Sequence, residues 1–145
     1  MKIKVKIKRF NKDLPLPEHK TDGAAAFDLH AREAVEIAPG AVGYVPLNVV
    51  VDTPDGHFLL LAARSSTHKK GLMLANGIGV VDSDYCGDKD EVAAAFLNFT
   101  GAPVRVLRGD RVVQGMFVQF TRADWEEVEK MNKKTRGGFG STGSK

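Results

Sequence analysis

Apolar and polar residues alternate along this chain in short runs that turn-forming residues separate. In residues 1–9, lysine occupies every second position between apolar residues, which is typical of a strand with one face in solvent. Further strands are predicted over residues 43–51, 58–63, 72–76, 92–99, 104–107 and 111–120. The run 58–63 is apolar throughout and predicts a fully buried strand, whereas Pro46 predicts a strand end or a sheet edge. About ten short strands with almost no helix predict an all-β sandwich or barrel.

Two segments near the C-terminus do not fit this pattern. Trp125, Val128 and Met131 are spaced by three, so residues 123–131 suit a short helix or a strand equally. Residues 133–145 are rich in glycine, serine and threonine and cannot build a core, so we expect a body over 1–132 and a tail over 133–145 that is mobile when empty. The backbone N–H groups of the tail, with Arg136 and Phe139, suit wrapping a triphosphate and stacking on a base.

Composition narrows the classes of function. The chain has 145 residues with 43% apolar residues, enough for one domain with a core. A formal net charge of +3 is too weak for a nucleic-acid coat, and no run is long enough to span a membrane. Cys86 is the single cysteine, so no intrachain disulfide forms, which suits a reducing compartment. We therefore expect a cytoplasmic protein with neither nucleic acid nor membrane as a partner.

The stretch from Gly79 to Asp88 carries candidate chemistry. Val80 and Val81 predict a strand end, and turn formers follow at once, so a hairpin or loop begins here. A strand that delivers the carboxylate of Asp82 to the mouth of a rigid loop suits a general base, and the ring of Tyr85 offers a surface for a ligand. An ordinary Asp-rich turn fits the same residues.

Other polar positions also have two interpretations. The sequence Arg64-Ser65-Ser66-Thr67 follows an apolar run, and either serine is suited to cap a short helix over 68–70 that stops at Gly71. A helix N-terminus beside an arginine binds phosphate. The alternative is that the serine only caps the helix and Arg64 lies at the surface. Asp28, between Phe27 and Leu29, faces away from both on a strand. Asn76 is suited to hydrogen-bond the edge of a nucleotide base, or it is a turn residue. An isolated glutamine at position 114 would normally face solvent on its strand.

Taken together, five segments resemble in order the motifs of the trimeric deoxyuridine triphosphatases (dUTP pyrophosphatases). They are Ala25-Ala26-Phe27-Asp28-Leu29-His30-Ala31, Arg64-Ser65-Ser66 with Gly71-Leu72, Gly79 to Gly87, Gly109-Asp110-Arg111-Val112-Val113-Gln114, and Arg136-Gly137-Gly138-Phe139-Gly140-Ser141-Thr142-Gly143. Each motif alone is modest support, but five in register over almost the whole chain favour the functional interpretations. The resemblance implies a distorted jelly-roll fold, a homotrimer with sites shared between subunits, and a tail that closes a site built by the others.

The implied reaction converts dUTP and water to dUMP and pyrophosphate, with Mg²⁺ chelated by the triphosphate and no protein group binding it directly. It limits uracil in DNA and supplies dUMP. Asp82 is implied as the base, the ring of Tyr85 as the barrier to a 2′-hydroxyl, and the hairpin backbone from Tyr85 to Asp88 as the reader of uracil. Substrate contacts are implied for Arg64, Ser65, Ser66, Asn76, Val81, Tyr85, Asp88, Gln114, Arg136, Phe139, Gly140, Ser141 and Thr142. Asp28 is implied near Asp82 or the metal's outer shell, and Arg111 as a structural partner of a carboxylate.

Three departures from the family pattern stand out: Cys86 in place of arginine, Ala26 in place of glycine, and a longer third motif through Asp88-Lys89-Asp90-Glu91. Two other functions are considered besides dUTP hydrolysis. A dCTP deaminase shares the fold, but Arg64 to Thr67 contains no glutamate of the kind that family needs. A non-catalytic dUTP-binding regulatory trimer would have no need of both Asp82 and the tail.

Overall fold

Short antiparallel strands make up the fold, which we describe from a computed structural model covering residues 1–141 and 143. The strands are β1 (Lys6–Arg9), β2 (Phe27–His30), β3 (Val35–Ile37), β4 (Val42–Pro46), β5 (Val49–Asp52), β6 (His57–Ala63), β7 (Leu72–Leu74), β8 (Gly79–Val81), β9 (Ala93–Asn98), β10 (Val104–Val106) and β11 (Arg111–Gln119). All their pairings are antiparallel. The prediction of an all-β domain with little helix is confirmed.

Four sheets enclose one hydrophobic core and form a distorted jelly roll. The largest has the strand order β2-β11-β6-β8, a second has β4-β9-β7, and two strand pairs, β1-β5 and β10-β3, complete the set. Phe96, Leu29, Val45, Leu59 and Val113 lie at the centre of the core, each at most 1% exposed. Since β9 lies in a different sheet from β8, the segment between them crosses from one sheet to the other.

Strand alternation sets which side chains reach the surface. In β2, Phe27 and Leu29 are buried while Asp28 points to the other face of the sheet, as predicted. For β6 the prediction of a fully buried strand is wrong, because Leu59 and Leu61 are buried but the residues between them are only partly covered. A continuous apolar run does not reveal that one face of its sheet is left partly open.

A single 3₁₀ turn, Thr67–Lys70, separates β6 from β7 and ends where predicted, at Gly71. Gly71 has φ +80°, and a Cβ there would lie 2.3 Å from Cγ2 of Thr100, so no other residue fits without a shift. Ser66 takes the N-cap position but makes no side-chain capping bond; instead the Arg64 amide donates to Oγ1 of Thr67 at 2.9 Å. Within the described residues, the chain has no helix with the length and apolar character needed to cross a bilayer.

Residues 123–131 are neither helix nor strand, so both alternatives for this segment are wrong. The last strand ends at Gln119, and residues 120–137 are exposed throughout, with Trp125 at 90% and Met131 at 76%. Three apolar residues spaced along an exposed segment do not stabilise either element unless another surface covers them.

Candidate functional site

Three charged side chains meet on neighbouring strands of the largest sheet. Asp28 lies in β2, Arg111 begins β11 and Arg64 follows β6. The Asp28 carboxylate accepts a hydrogen bond from Arg64 Nε at 2.8 Å and another from Arg111 Nη1 at 3.1 Å, and Arg64 Nη1 donates to the Arg111 carbonyl at 3.0 Å. The Asp28 side chain is only 13% exposed. Arg111 thus pairs with a carboxylate, as the family resemblance implied.

Gln114 joins these three residues to form what we call the arginine cluster: Asp28, Arg64, Arg111 and Gln114. Gln114 pairs with Asp28 across β2 and β11, and its Nε2 donates to the Ala63 carbonyl at 2.9 Å. It is half-buried, so the solvent-facing position expected for an isolated glutamine is wrong here. Two arginines around one carboxylate leave an excess positive charge and unused N–H donors, which suits an anionic ligand such as phosphate.

His30 follows Asp28 in β2 and lies across from Arg111. Burial lowers the pKa of His30 below its ordinary value of 6.5, and Arg111 and Lys20 lower this pKa further, while the negative charges of Asp28 and Glu18 oppose the shift. The neutral imidazole is therefore the favoured form beside the cationic cluster.

Ser65 and Ser66 connect the arginine cluster to the 3₁₀ turn. Ser65 is exposed and Ser66 half-buried. Among the described residues neither hydroxyl has a side-chain hydrogen bond to protein, so both are free to donate to a ligand held by Arg64.

Asp82 stands at the mouth of a loop, residues 82–92, that follows β8. Asp82 is exposed, and its carbonyl accepts a hydrogen bond from the Tyr85 amide at 3.2 Å. Tyr85 is 41% exposed, and its Oη donates to the Glu91 carbonyl at 3.0 Å. Of the two predicted possibilities, a hairpin or a loop, the structure shows the loop: the segment is a series of consecutive turns that leads to β9 in another sheet.

The far end of this loop is held by residues that sequence reasoning missed. Arg32 makes two hydrogen bonds to the Glu91 carboxylate, at 2.7 and 3.1 Å, and the Asn48 amide donates to the same carboxylate at 2.9 Å. Lys8 Nζ donates to the Asp88 carbonyl at 2.7 Å. These partners are 43 to 80 residues apart in sequence, so no local spacing could have found them. The one available signal was an acidic residue, Glu91, directly before the strand predicted over 92–99.

The arginine cluster and the loop lie at opposite ends of the β6–β8 pair. Val81 pairs with Leu59, so Asp82 is level with Phe58, and Arg64 comes six residues later in β6 and its extension. At about 3.3 Å per residue, the two Cα atoms are about 20 Å apart. This offset places the two residues in different parts of the surface of one chain. Asn76 lies in the turn before β8, at the opposite end of that strand from Asp82.

The tail residues form a third group, away from both. Phe139 is fully exposed with φ +50°, and Arg136 and Gly140 are exposed as well. The Gly138 amide donates to Ser141 Oγ at 2.6 Å, which closes a local turn. From residue 121 to residue 141 no hydrogen bond reaches the body of the protein. Thr142, also predicted as a substrate contact, lies outside the described residues.

The described residues contain no group of three histidine, cysteine, aspartate or glutamate side chains that could hold a metal ion. Asp28 was implied near Asp82 or the outer shell of a metal. Within one chain it lies on β2, at the other edge of the sheet from β8, and both of its oxygens accept hydrogen bonds from arginine. The donor set therefore fits a cation that a bound phosphate carries better than one that the protein chelates.

Comparisons with known proteins agree with the five motifs. A family model described as dUTPase matches residues 12–143. The deoxyuridine 5'-triphosphate nucleotidohydrolases of Dictyoglomus turgidum and Lactococcus lactis are each 38% identical to this chain, over 97% and 92% of it and 99% and 91% of their own lengths. The dUTPase structure from Streptococcus mutans is 36% identical, with a TM-score of 0.75 over 82% of this chain and 98% of that one.

A Staphylococcus bacteriophage 80alpha dUTPase mutant with dUpNHpp is 20% identical and shares the fold, with a TM-score of 0.84 over 97% of this chain and 99% of that one. The family model and the relatives together cover nearly the whole chain. This protein belongs to the dUTPase family.

Proposed function

We propose that this protein hydrolyses dUTP to dUMP and pyrophosphate. The observation that carries the proposal is the presence, in a dUTPase chain, of an exposed carboxylate and a tethered tyrosine in one short loop, Asp82 and Tyr85. Two of the residue groups offer what the reaction needs: a base in the loop and anion-binding donors in the arginine cluster.

In the proposed reaction, a water oxygen attacks the α-phosphorus and its proton passes to the Asp82 carboxylate. The bond from the α-phosphorus to the bridging oxygen breaks, and its electron pair leaves with pyrophosphate. Arg64, Ser65, Ser66 and Gln114 hold the phosphates, and a cationic cluster stabilises the charge that develops on them. A Mg²⁺ ion carried by the triphosphate would supply further charge neutralisation.

Selection of the nucleotide is assigned to the loop around Tyr85. Its ring packs on the deoxyribose and leaves no room for a 2′-hydroxyl, while Val81, Asp88 and the loop backbone contact the base with help from Asn76. Fixed donors and acceptors that match uracil leave polar groups unpaired against cytosine, which can cost about 10⁴-fold in kcat/KM.

We further propose a homotrimer whose sites combine residues of different chains. The offset of about 20 Å between Asp82 and Arg64 along the β6–β8 pair supports this, because residues of one chain would lie far apart around a shared substrate. The outer face of the β4-β9-β7 sheet also supports self-association: Val42, Leu97 and Met73 form one register row, and Val42 is 49%, Met73 48% and the nearby Tyr44 71% exposed. Apolar faces of this kind are typical of interfaces.

The tail from residue 133 onward is proposed to close the site of a neighbouring chain. From residue 133 to residue 141 it is mostly exposed and makes no hydrogen bond to its own body, so it is free to move over a bound nucleotide. Arg136, Gly140, Ser141 and Thr142 would cover the γ-phosphate, and Phe139 would stack on uracil, worth roughly 1–3 kcal/mol.

In a cell this activity would limit uracil incorporation into DNA and supply dUMP. A cytoplasmic location is part of the proposal, since Cys86 is a free, exposed thiol, which suits a reducing compartment. Fractionation of cells that express a tagged chain would test the location.

The proposal is tested by pyrophosphate release from dUTP, dTTP, dCTP and UTP in the presence of Mg²⁺. We expect rapid release from dUTP alone. Ammonia release from dCTP would instead support a deaminase, and tight dUTP binding without pyrophosphate release would support a regulatory binding protein. Either of these results would overturn the proposed hydrolysis.

A further inference from the structure

Within the loop of residues 82–92, the side chain of Tyr85 is hydrogen-bonded to one backbone carbonyl, that of Glu91. The Oη of Tyr85 donates to the Glu91 carbonyl at 3.0 Å, while its amide donates to the Asp82 carbonyl at 3.2 Å. The aromatic ring is therefore held at both ends, and its direction depends on where the Glu91 carbonyl lies. A shift of that carbonyl would move the tip of the ring.

Glu91 is in turn fixed from both sides by the body of the protein. Its carboxylate accepts two hydrogen bonds from Arg32 and one from the Asn48 amide. The next residue, Val92, exchanges backbone hydrogen bonds with the corner between β4 and β5: its amide donates to Val49 at 2.9 Å, and its carbonyl accepts from Leu47 at 2.9 Å. The carbonyl that receives Tyr85 thus lies between a side-chain anchor and a backbone anchor.

Asn48 makes this anchor rigid. It is 2% exposed and has φ +72°, a left-handed conformation that asparagine tolerates. Its side chain both accepts from the Asn11 amide, at 2.7 Å, and donates to the Asn11 carbonyl, at 2.9 Å. Because its side-chain oxygen and amide nitrogen and its backbone amide all have partners, Asn48 has little freedom to follow a moving Glu91.

The Arg32–Glu91 pair is the charged part of the anchor. Side-chain exposure is 32% for Arg32 and 15% for Glu91, and the two parallel hydrogen bonds raise the pKa of Arg32. Glu33 also approaches Arg32, at 3.7 Å, but its side chain is 58% exposed and lies outside the loop. Among the described residues, Glu91 is the one that connects this arginine to Tyr85.

We propose that Glu91 is a positioning residue for sugar selection: paired with Arg32 and Asn48, it holds the carbonyl that fixes the ring of Tyr85 against the deoxyribose. The inference rests on the proposed dUTP hydrolysis and adds to it the origin of discrimination against UTP. A ring with a fixed tip excludes a 2′-hydroxyl by clash, whereas a ring that can swing away admits it.

The test measures kcat/KM for dUTP and for UTP in the wild type, in Glu91→Gln and in the matched control Glu33→Gln. Glutamine keeps the size of Glu91, but it turns a donor toward Arg32 and loses the paired hydrogen bonds. We expect Glu91→Gln to lower the dUTP-over-UTP ratio by about tenfold, with the KM for dUTP raised more than kcat is lowered. Glu33→Gln removes the other carboxylate near Arg32 and should leave the ratio unchanged.

A double-mutant cycle shows whether Glu91 acts through Tyr85. Tyr85→Phe removes the hydroxyl and leaves the Arg32–Glu91 pair intact. If the loss of discrimination in the double variant is clearly smaller than the product of the two single losses, Glu91 acts through the ring. Should Glu91→Gln fail to fold, Tyr85→Phe alone decides, since a freed ring must also lower the ratio.

Two results would overturn the inference while leaving the proposed function intact. One is a Glu91→Gln enzyme that melts at a lower temperature yet keeps the wild-type ratio, which would show a purely structural role. The other is a double variant whose loss of the dUTP-over-UTP ratio equals the product of the losses in Glu91→Gln and Tyr85→Phe. A wild-type protein that releases no pyrophosphate from dUTP would instead contradict the proposed function itself.

Discussion

Asp28 accepts a hydrogen bond from Arg64 at 2.8 Å and, through its other oxygen, one from Arg111 at 3.1 Å. A carboxylate that is 13% exposed and shared by two arginines sets the direction of both guanidinium groups. Its negative charge also offsets part of the repulsion between them, so Arg64 can stay in place before any phosphate arrives.

Replacing this carboxylate should weaken substrate binding. In Asp28→Asn the carboxylate bridge between the two arginines is lost and the arginines repel each other, so we expect the KM for dUTP to rise about 10- to 100-fold with a smaller change in kcat. Steady-state kinetics checks this. Asp13→Asn is the control, because Asp13 pairs with Arg108 at 3.8 Å at an exposed position and should have no effect. An Asp28→Asn enzyme with wild-type KM would contradict the assigned role.

Asp82→Asn should abolish turnover but retain binding. Asparagine keeps the size of the side chain and cannot take the proton from water, so we expect kcat to fall by about 10³-fold or more. Calorimetry with a non-hydrolysable dUTP analogue should give a Kd close to that of the wild type. The neighbouring exposed residue offers a control, Asp84→Asn, for which we expect near-normal kcat. Equal losses in both variants would mean that loop charge, and not a base at position 82, is what matters.

Removing residues 136–145 should slow catalysis without unfolding the body. Every strand and all of the core lie before residue 120, and residues 121–141 form no hydrogen bond to the body, so we expect an unchanged melting temperature. Loss of the closing segment should lower kcat by at least about tenfold. Pyrophosphate release measures the change in kcat, and thermal melting measures the stability of the body. A truncated enzyme with normal kcat would contradict the role of the tail.

Acidification should destabilise the protein through His30. Its pKa is lowered in the folded chain, mainly by burial, so the unfolded chain binds more protons and the free energy of unfolding rises with pH. The contribution of His30 to stability is fully present above pH 6.5, the ordinary pKa of histidine. This contribution is lost as the pH falls from 6.5 toward the lower pKa of His30 in the folded chain. Melting temperatures measured across this window should show a flatter pH dependence for His30→Gln than for the wild type. The exposed His68→Gln is the control and should follow the wild type.

Local features of the fold were predictable from sequence, and long-range ones were not. Pro46 ends β4 and Gly71 ends the 3₁₀ turn, because each residue restricts or permits backbone angles on its own. The outward face of Asp28 follows from strand alternation. No local pattern says that the strand after the loop belongs to another sheet, so the sequence left both a hairpin and a loop open at Asp82.

The candidate site divides in the same way. The motifs identified Asp82, Arg64 and Arg111 as candidate site residues. They did not predict which of these side chains contact one another. Only the structure shows that Asp28 joins the two arginines and that Asp82 lies at the other end of β6. The anchor of the loop, Arg32 with Glu91, joins residues 59 apart, and no local spacing in the sequence predicts that they pair.

Complementation between inactive variants tests the shared site most directly. Arg64→Ala and Asp82→Asn should each be inactive alone. If each site takes Asp82 from one chain and Arg64 from another, random mixing on coexpression restores about one quarter of the wild-type sites. Arg64→Ala with Gln114→Ala is the matched control, because both residues lie in the arginine cluster of one chain and no mixture can repair it. We predict dUTP hydrolysis in the first pair and none above the single variants in the second; no recovery in the first pair would contradict a site built from more than one chain.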